Sequence, residues 1–418
     1  MKTFSIKTLG CKVNQYESQL IRENFLRNGF KETNGPNSAD IYIVNTCTVT
    51  GRADRESRHL VRDAYRKNPG AKIVVTGCFA EKDSDVISKL EGVTDIIKNS
   101  DKIRLISLVT GCAALSTSNF ITDFKDHSKA FVKIQDGCSN FCSFCKVPLV
   151  RGEPQSRALE EIKSEVKSLL DSGFQEIVLS GVCLGEWGRG IGKGFDLVNV
   201  LEEIENFDAQ FRIRLSSIEL KYITERLLNK MASSGKVCRH LHIPLQSGDD
   251  RILKAMNRPY TRKEYVDSVR KIKSFIPEVG VTTDIMVGFP GEEEEHFANT
   301  LDTIMQCGFH RIHVFPYSKR KGTKADSLPY NISYYILKDR ESKIKEAERE
   351  LSYEYRKKFL GKQAMVLVEE KIEKSTQLLT GYTDTYIKVL LKGPDSLKGK
   401  LASGKISRID HNYTFFEI

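Results

Sequence analysis

The first hundred residues alternate short apolar runs with longer stretches in which apolar positions recur every three or four residues. The runs "TFSIKTL", "DIYIVNT" and "KIVVTG" predict strands, and the stretches 14–29 and 52–68 predict amphipathic helices. Asn68, Pro69 and Gly70 end the second helix. Strands that alternate with helices predict a parallel sheet, and hence an α/β fold for this part of the chain.

The same alternation resumes after a polar connector at 113–128. The runs "AFVKIQ", "EIVLSG", "RIRLSS", "HLHIPLQ", "VTTDIMVG" and "RIHVFPY" predict six strands, with helices between them that include 159–172, 196–206 and 261–275. Six βα units predict a partial parallel barrel, because a closed eight-unit barrel would need about 250 residues. These strands end in polar residues, a pattern that favours a functional face: Ser180-Gly181, Ser216-Ser217, Gln246-Ser247, Asp284 and Tyr317.

The pattern changes again near the carboxyl end of the chain. A long charged helix is predicted from about 331 to 359, and five short β runs with turn glycines follow it. These runs predict a small all-β barrel of roughly 55–60 residues, a size that can fold alone. We therefore expect three domains, at 1–112, 129–358 and 359–418, with 113–128 as an interdomain linker.

Composition narrows the class of protein without naming a function. The chain has 418 residues, of which 40% are hydrophobic and 29% charged, as in soluble globular proteins. No apolar run is long enough to span a bilayer, and the amino terminus lacks the apolar segment of a signal peptide. We expect a cytoplasmic protein with no membrane partner. The net charge of +10 is compatible with an RNA partner, but the basic run 318–324 alone predicts only a solvated loop.

Three cysteines follow the first three predicted strands. Cys11, Cys47 and Cys78 each come directly after a strand of the amino-terminal domain. Because the carboxyl ends of parallel strands lie on one edge of a sheet, we expect these residues to converge there. Ten cysteines in a reducing compartment indicate metal binding or catalysis rather than disulfides. The sequence therefore predicts three thiolates that face a soft metal centre.

A second set of three cysteines lies in "GCSNFCSFC", directly after the first barrel strand. It consists of Cys138, Cys142 and Cys145. Structural zinc sites normally have four protein ligands, and four cysteines are the ordinary set for iron–sulfur clusters. Three thiolates on a [4Fe-4S] cubane leave one iron without a protein ligand. That iron would be open to a substrate or cofactor.

The C-x₃-C-x₂-C spacing after the first strand of a partial barrel resembles the radical S-adenosylmethionine (SAM) superfamily. The segments "TLGCKVN", "VNTCTVT", "VTGCFAE", "HIPLQSGDDRILKAMNRPYT" and "DIMVGFPGE" are similar to those of its methylthiotransferase family, and the terminal β runs resemble the TRAM RNA-binding domain. The resemblance implies a radical SAM barrel whose catalytic [4Fe-4S] cluster is held by Cys138, Cys142 and Cys145. It also implies a second [4Fe-4S] cluster, held by Cys11, Cys47 and Cys78, that bears or relays sulfur.

Within that family, "LGCKVN" and "LLTGYTDTYIKV" resemble the branch that acts on N6-threonylcarbamoyladenosine in tRNA. The resemblance implies a transferase that adds a methylthio group to C2 of this nucleoside at position 37 of tRNA (t6A to ms2t6A), with an external electron donor and a sulfur donor. One alternative is methylthiolation of N6-isopentenyladenosine. Alternatives from other classes are an iron–sulfur electron carrier or redox sensor, and an RNA-binding protein with structural zinc.

Some residues depart from the pattern of the resembled family or carry weaker predictions. The departures are Lys146, Leu149, Cys183 and Trp187. The predicted SAM contacts follow the second and fifth barrel strands and are Ser180, Gly181, Gly288 and Gly291. We expect four other cysteines not to bind iron: Cys112, Cys183, Cys238 and Cys307.

Aromatic and basic side chains are candidates for RNA contacts. Trp187, Phe315 and Tyr317 either stack on an extruded base or pack inside the barrel. The terminal β runs resemble a TRAM domain, which implies phosphate contacts through Lys388, Lys392, Lys398, Lys400 and Lys405.

Overall fold

The computed structural model describes residues 2–33, 39–111, 117–192 and 194–418, so Cys112 and the start of the predicted linker lie outside the described residues. The amino-terminal domain is built on a parallel five-stranded sheet in the order β2-β1-β3-β4-β5. Its strands are Thr3–Thr8 (β1), Lys31–Glu32 (β2), Ile41–Thr46 (β3), Lys72–Gly77 (β4) and Val93–Ile96 (β5). Its α-helices are Lys12–Arg27 (α1), Gly51–Lys67 (α2), Cys78–Lys82 (α3), Ser84–Ile87 (α4) and Leu105–Thr110 (α5), and Asn99–Arg104 forms a 3₁₀ helix.

The central domain forms a partial barrel of six parallel strands, as the sequence predicts. The six parallel strands are Ala130–Asp136 (β6), Glu176–Gly181 (β8), Arg212–Leu215 (β9), His240–His242 (β10), Gly280–Val287 (β11) and Arg311–Pro316 (β12). A short seventh strand, Gln155–Ser156 (β7), pairs antiparallel with β6. Together they form the sheets β7-β6-β8-β9 and β10-β11-β12, which isolated parallel bridges join through Ile213–Val237 and Ser217–His242.

Helices alternate with the barrel strands and bury apolar faces against them. They are Val147–Arg151 (α6), Leu159–Asp171 (α7), Leu197–Glu205 (α8), Glu225–Ser233 (α9), Asp250–Ala255 (α10), Arg262–Phe275 (α11) and Glu294–Cys307 (α12), and Leu184–Glu186, Leu220–Tyr222 and Lys324–Ser327 are 3₁₀ helices. Local sequence fixes several of their starts. Thr261 and Glu264, for example, form a reciprocal capping box at the start of α11.

The chain ends in a long helix and a small closed barrel. The helix is Tyr334–Lys357 (α13), and the strands are Gln363–Ile372 (β13), Leu379–Thr383 (β14), Lys388–Leu391 (β15), Leu401–Ile409 (β16) and Thr414–Glu417 (β17), with Asp395–Leu397 as a 3₁₀ helix. The barrel closes in the order β13-β14-β15-β17-β16, which confirms the predicted all-β module. Tyr355 and Phe359 bury their rings in its core, so α13 is firmly attached to it. Across the described ranges, no helix is both long and apolar enough to cross a membrane.

The terminal barrel covers the amino ends of the central barrel strands. Arg212 and Arg214 of β9 are buried, and both pair with Glu176 of β8 at 2.6 and 3.0 Å. Their remaining N–H groups donate to four backbone carbonyls of the terminal barrel: Met365, Tyr382, Thr383 and Asp384. The ring of Tyr386 stacks on His240 at the start of β10, with the ring centroids 4.6 Å apart. The terminal barrel therefore closes the end of the central barrel at which the parallel strands begin.

The described part of the predicted linker, 117–128, is packed between the first two domains. Ile121 and Phe124 are buried in the barrel core. The backbone N–H and hydroxyl of Thr122 donate to Glu23 of α1 at 2.9 Å each. This segment therefore fixes the two domains against each other.

Candidate iron–sulfur and cofactor site

The first cysteine set lies at the carboxyl edge of the amino-terminal sheet. Cys11 caps α1 after β1, Cys47 follows β3, and Cys78 begins α3 after β4. The loops come close: a Cβ atom on Gly10 would lie only 3.1 Å from Cys47 Sγ. Gly10 has φ of 105°, so a side chain at this position would also strain the backbone. All three cysteines therefore lie at the predicted edge of the sheet, and their joint binding of a cluster stays a prediction.

The second set lies in the loop between β6 and α6, and contacts from the turn after α10 hold this loop in place. Phe141, next to Cys142, has φ of 46°, and the side-chain amide of Asn257 donates to its carbonyl at 3.0 Å. Arg258 donates to Cys142 Sγ at 3.3 Å and forms an ion pair with Glu219. The loop conformation is therefore fixed by the polypeptide itself.

Five of the six sulfurs accept hydrogen bonds from N–H groups. The donors are Val49 to Cys47 (3.5 Å), Arg151 to Cys78 (3.3 Å), Asn140 to Cys138 (3.5 Å), Arg258 to Cys142 (3.3 Å) and Val147 to Cys145 (3.4 Å). Such donors stabilise thiolates and tune iron–sulfur clusters. Burial raises the pKa of Cys47 to about 11 and that of Cys145 to about 12. A bound metal ion would reverse this effect by stabilising the thiolates.

The sulfurs of the two predicted sets are not grouped as tightly as the ligands of a single zinc ion. Around one tetrahedral zinc with Zn–S bonds of ~2.3 Å, sulfurs would lie ~3.8 Å apart. Among the described residues, neither predicted set forms a group whose ligand atoms all lie within 4.8 Å of one another.

Unpaired polar atoms line the same face of the barrel. Within the described ranges, four buried side-chain oxygens of the cysteine loop and the strand ends have no hydrogen-bond partner: Asn140 Oδ1, Ser143 Oγ, Ser216 Oγ and Gln246 Oε1. Buried polar atoms are normally paired, so an unpaired group of them indicates a place for a polar ligand. These atoms fit a cofactor such as SAM beside the second cysteine set.

The four predicted SAM contacts stay predictions. The Ser180 hydroxyl donates to a backbone carbonyl of β6 at 3.2 Å. A Cβ atom on Gly181 would lie 2.9 Å from the Gln135 side chain, and one on Gly288 would lie 2.2 Å from Leu337. Packing therefore explains glycine at both positions. Gly291 has open space where a side chain would extend.

Two departures from the family pattern lie at the junction of the domains. Lys146, next to the second set, is buried and forms an ion pair with Asp83 at 2.7 Å. Asp83 directly follows α3, the helix that Cys78 begins. Leu149 is exposed. The charge of Lys146 is therefore paired with Asp83 of the amino-terminal domain, on the other side of the junction.

The aromatic residues considered as base-stacking groups pack inside the protein. Trp187 is buried, and its indole N–H donates to the carbonyl of Arg157 at 3.0 Å. Tyr317 is buried, and its hydroxyl donates to the carbonyl of Ala325 at 3.1 Å. Phe315 packs against the same apolar cluster as Tyr317. The base-stacking interpretation is wrong for Trp187 and Tyr317, whose rings are enclosed by protein.

Cys183 is closer to the second set than the sequence indicates. Its Sγ, Cys138 Sγ and a Glu186 carboxylate oxygen all lie within 4.8 Å of one another. A hydrogen bond from the Cys183 thiol lowers the pKa of Cys138. Cys183 and Glu186 therefore act on a predicted cluster ligand, a relation that a spacing motif does not encode.

Replacing Cys183 with alanine is expected to keep the iron content, because each set already supplies three cysteines. Loss of its hydrogen bond should lower the reduction potential of the cluster at Cys138, since donors to sulfur stabilise the reduced state. Iron analysis and a redox titration followed by electron paramagnetic resonance check this, with Cys307→Ala as a buried-thiol control. Loss of about half the iron would show that Cys183 is a ligand.

Two arginines that sequence reasoning missed join the domains at this site. Arg151 of α6 donates to Cys78 Sγ and, at 2.5 Å, to Glu17 of α1. Arg320 donates to the Thr48 hydroxyl at 2.7 Å, next to Cys47. Arg320 is buried, so the solvated-loop prediction for 318–324 is wrong at this position. Both cysteine sets therefore border one interdomain junction.

Family models match the two cysteine-bearing domains separately. Residues 3–99 match the model described as "Uncharacterized protein family UPF0004". Residues 132–304 match the model of the Radical SAM superfamily. Each match includes one complete set of three cysteines.

Relatives match over nearly the full chain. The chain is 35% identical to "Threonylcarbamoyladenosine tRNA methylthiotransferase MtaB" of Bacillus subtilis, covering 99% of this chain and 95% of the relative. It is 34% identical to "tRNA-2-methylthio-N(6)-dimethylallyladenosine synthase" of Acetivibrio thermocellus, covering 98% and 89%. The solved structure of the radical SAM methyltransferase TsrM from Kitasatospora setae shares the fold, with a TM-score of 0.56 and 14% identity over 76% of this chain and 75% of TsrM.

Proposed function

Because the chain belongs to the radical SAM methylthiotransferase family, we propose that it methylthiolates C2 of N6-threonylcarbamoyladenosine at position 37 of tRNA, converting t6A to ms2t6A. The observation that carries the proposal is the meeting of two three-cysteine sets at one junction. Relatives from Bacillus subtilis and Chlamydia pneumoniae, 35% and 37% identical, bear the name of this activity.

The two cysteine sets have different roles on the two sides of the junction. Cys138, Cys142 and Cys145 would hold the [4Fe-4S] cluster at the barrel, where the unpaired oxygens would be available to hydrogen-bond SAM. Cys11, Cys47 and Cys78 hold the second [4Fe-4S] cluster. When bound, the clusters and SAM supply the one-electron and sulfur-transfer chemistry that side chains lack. An external electron donor and a sulfur donor complete the reaction, which we assign to the cytoplasm, where the tRNA substrate resides.

Nucleoside analysis of tRNA from cells with and without the gene tests the proposal. The expected result is that ms2t6A is present with the gene and absent without it, while t6A accumulates. Loss of the methylthiolated isopentenyl nucleoside would instead support the alternative named by the Acetivibrio thermocellus relative. About eight iron atoms per chain together with SAM cleavage would exclude both the zinc protein and a simple electron carrier.

The terminal barrel offers lysines for phosphate contacts. Lys388 pairs with Glu373 at 2.8 Å, and Lys398 pairs with Asp395 at 2.9 Å. The other three predicted contacts are exposed and form no ion pair with any described residue: Lys392, Lys400 and Lys405. We propose that these three bind the tRNA backbone.

Replacing Lys392, Lys400 and Lys405 together with glutamine is expected to weaken tRNA binding. It should also reduce the slope of log affinity against log salt by about three, since each lost phosphate contact removes about one. Lys388→Gln with Lys398→Gln is the matched control, because those lysines are already paired. Unchanged affinity and slope in the triple variant would exclude the role. Point substitutions are required, because deletion after Phe359 would uncover the buried Arg212 and Arg214.

A further inference from the structure

A cleft outside both cysteine sets lies where α13, β12 and the terminal barrel meet. It encloses about 420 Å³, a size typical of ligand sites. Five lysine or arginine side chains line it together with a single carboxylate, that of Glu348: Arg311, Lys345, Arg349, Arg356 and Lys388. Such a concentration of positive charge around one concave surface indicates an anionic ligand.

Three of these charged groups are already used within the fold. Arg356 is buried and donates to three backbone carbonyls of the loop 410–413. Lys388 pairs with Glu373 at 2.8 Å. The Glu348 carboxylate accepts a backbone N–H of β12 at 3.1 Å. These contacts fix the walls of the cleft and leave three cations available to a ligand.

The available cations are Arg311, Lys345 and Arg349. Lys345 is exposed, and neither it nor Arg311 forms an ion pair with any described residue. Arg349 lies 3.7 Å from Glu350, but both side chains are more than half exposed, and a surface pair of this kind contributes little. Anionic groups that enter the cleft would therefore meet cations that are not already neutralised.

The cations of α13 are arranged along a line. Lys345, Arg349 and Arg356 follow one another at intervals of four and seven residues, so they share one face of the helix over about 16 Å. The stacked rings of Tyr382 and Tyr386, with centroids 4.8 Å apart, line the cleft on the side of the terminal barrel. A linear array of positive charge matches the regularly repeated phosphates of a nucleic-acid strand better than a single free phosphate group.

The cleft also connects surfaces that the proposed function already uses. Arg311 is the first residue of β12, the last strand of its sheet, which runs toward the face that carries the second cysteine set. Lys388 begins β15, and Lys392, one of the proposed phosphate contacts, directly follows that strand. An RNA strand bound in the cleft could therefore extend to the free lysines of the terminal barrel and to the edge of the central barrel.

We propose that this cleft binds the sugar–phosphate backbone of the substrate tRNA, with Lys345 and Arg349 on neighbouring phosphates and Arg311 facing the same strand from β12. Side chains four residues apart on a helix are neighbours, so both can contact one strand. The inference rests on the proposed function, and it adds to that function an RNA-binding surface formed by α13 outside the terminal barrel.

Replacing Lys345 and Arg349 together with glutamine tests the inference in the iron-loaded enzyme. The variant should bind an anticodon stem-loop RNA roughly tenfold to a hundredfold more weakly than wild type. The slope of log affinity against log salt should fall by about two, because two phosphate contacts are lost. Lys345→Arg with Arg349→Lys keeps both charges and should keep most of the affinity.

Lys343→Gln with Lys357→Gln is the matched control, because it removes the same charge from the same helix. Both lysines lie outside the cleft and are paired with acidic residues of α13, at 2.8 and 2.9 Å. This control should bind the RNA with wild-type affinity and salt slope. A loss equal to that of the Lys345 and Arg349 variant would show that only the net charge of the protein matters and would overturn the inference.

Three stem-loop RNAs separate this inference from the proposed function. They carry adenosine, threonylcarbamoyladenosine or isopentenyladenosine at position 37, and the loss of affinity should be the same for all three, because the cleft would contact only the backbone. Unchanged affinity and slope in the glutamine variant would overturn the role of the cleft and leave the proposed nucleoside intact. Displacement of the RNA from wild type by ATP at an equal phosphate concentration would show a free-nucleotide site instead. Methylthiolation of only the isopentenyl RNA would overturn the proposed function, whereas the cleft would still bind RNA.

Discussion

Replacing Cys138 with alanine is expected to abolish formation of 5′-deoxyadenosine from SAM, whereas Cys47→Ala should keep that cleavage and lose methylthiolation. Each variant removes one of three thiolates from a different set. The sets belong to separate sheets, and Cys138 lies in a loop fixed by Asn257 and Arg258 of its own domain. Loss of a ligand in one domain should therefore leave the other cluster in place.

The measurement is 5′-deoxyadenosine and methylthiolated nucleoside, quantified side by side with a strong chemical reductant. Cys307→Ala, which removes a buried thiol at the end of α12 that belongs to neither set, is the control and should retain both products. Wild-type methylthiolation by Cys47→Ala would refute the sulfur role of the first set. A folded Cys47→Ala protein that no longer cleaves SAM would show that the two half-reactions cannot be separated.

Replacing Arg151 with methionine is expected to destabilise the protein by about 3–5 kcal/mol, because it breaks a buried ionic network. Glu17 is buried beside Arg151, Lys102 and Lys133, and these cations lower its pKa well below the usual range despite burial. Arg151 also joins α6 to Glu17 of α1 and donates to Cys78 Sγ, so breaking the whole network should loosen the segment that carries Cys78 and reduce both the iron content of the first set and methylthiolation.

Denaturant unfolding and iron analysis check this second expectation. Arg66→Met is the matched control, since Arg66 is 66% exposed and lies 3.8 Å from Asp63; its effect should stay within about 0.5 kcal/mol. The lowered pKa of Glu17 also determines the direction in which stability changes with pH. Its stabilising contribution is complete above the ordinary pKa of glutamate and is lost as the pH falls through the folded value. An Arg151→Met protein with full iron content and wild-type stability would contradict the assigned role.

Much of the fold follows from local pattern, because most elements are long and strongly periodic. The strands β1, β3 and β4 and the helices α2 and α13 lie within a few residues of their predicted bounds. With two residues, β2 is too short to show an alternation of apolar and polar positions, and β5 has only four residues with a polar centre. The sequence therefore predicts neither strand. The rule that the carboxyl ends of parallel strands share one edge predicted where Cys11, Cys47 and Cys78 lie, because it depends only on strand direction.

The rest of the site depends on contacts between distant segments. Arg151 meets Glu17 across 134 positions, and Arg320 meets Thr48 across 272. No spacing rule connects such pairs, since their geometry exists only after the domains have packed. The same holds for Cys183, whose relation to Cys138 arises from the neighbouring strands β8 and β6. The sequence therefore indicated the ligands, whereas the structure revealed the residues that hold them.

The terminal barrel closes one end of the central barrel, and this limits which parts can be exchanged between related enzymes. An RNA-binding module on a flexible tether can be exchanged between relatives as a unit. Here, a transplanted module would have to present carbonyl groups where Arg212 and Arg214 donate, and a ring where Tyr386 stacks on His240. A chimaera that changes tRNA preference should therefore carry β9, the start of β10 and the terminal barrel together as one cassette.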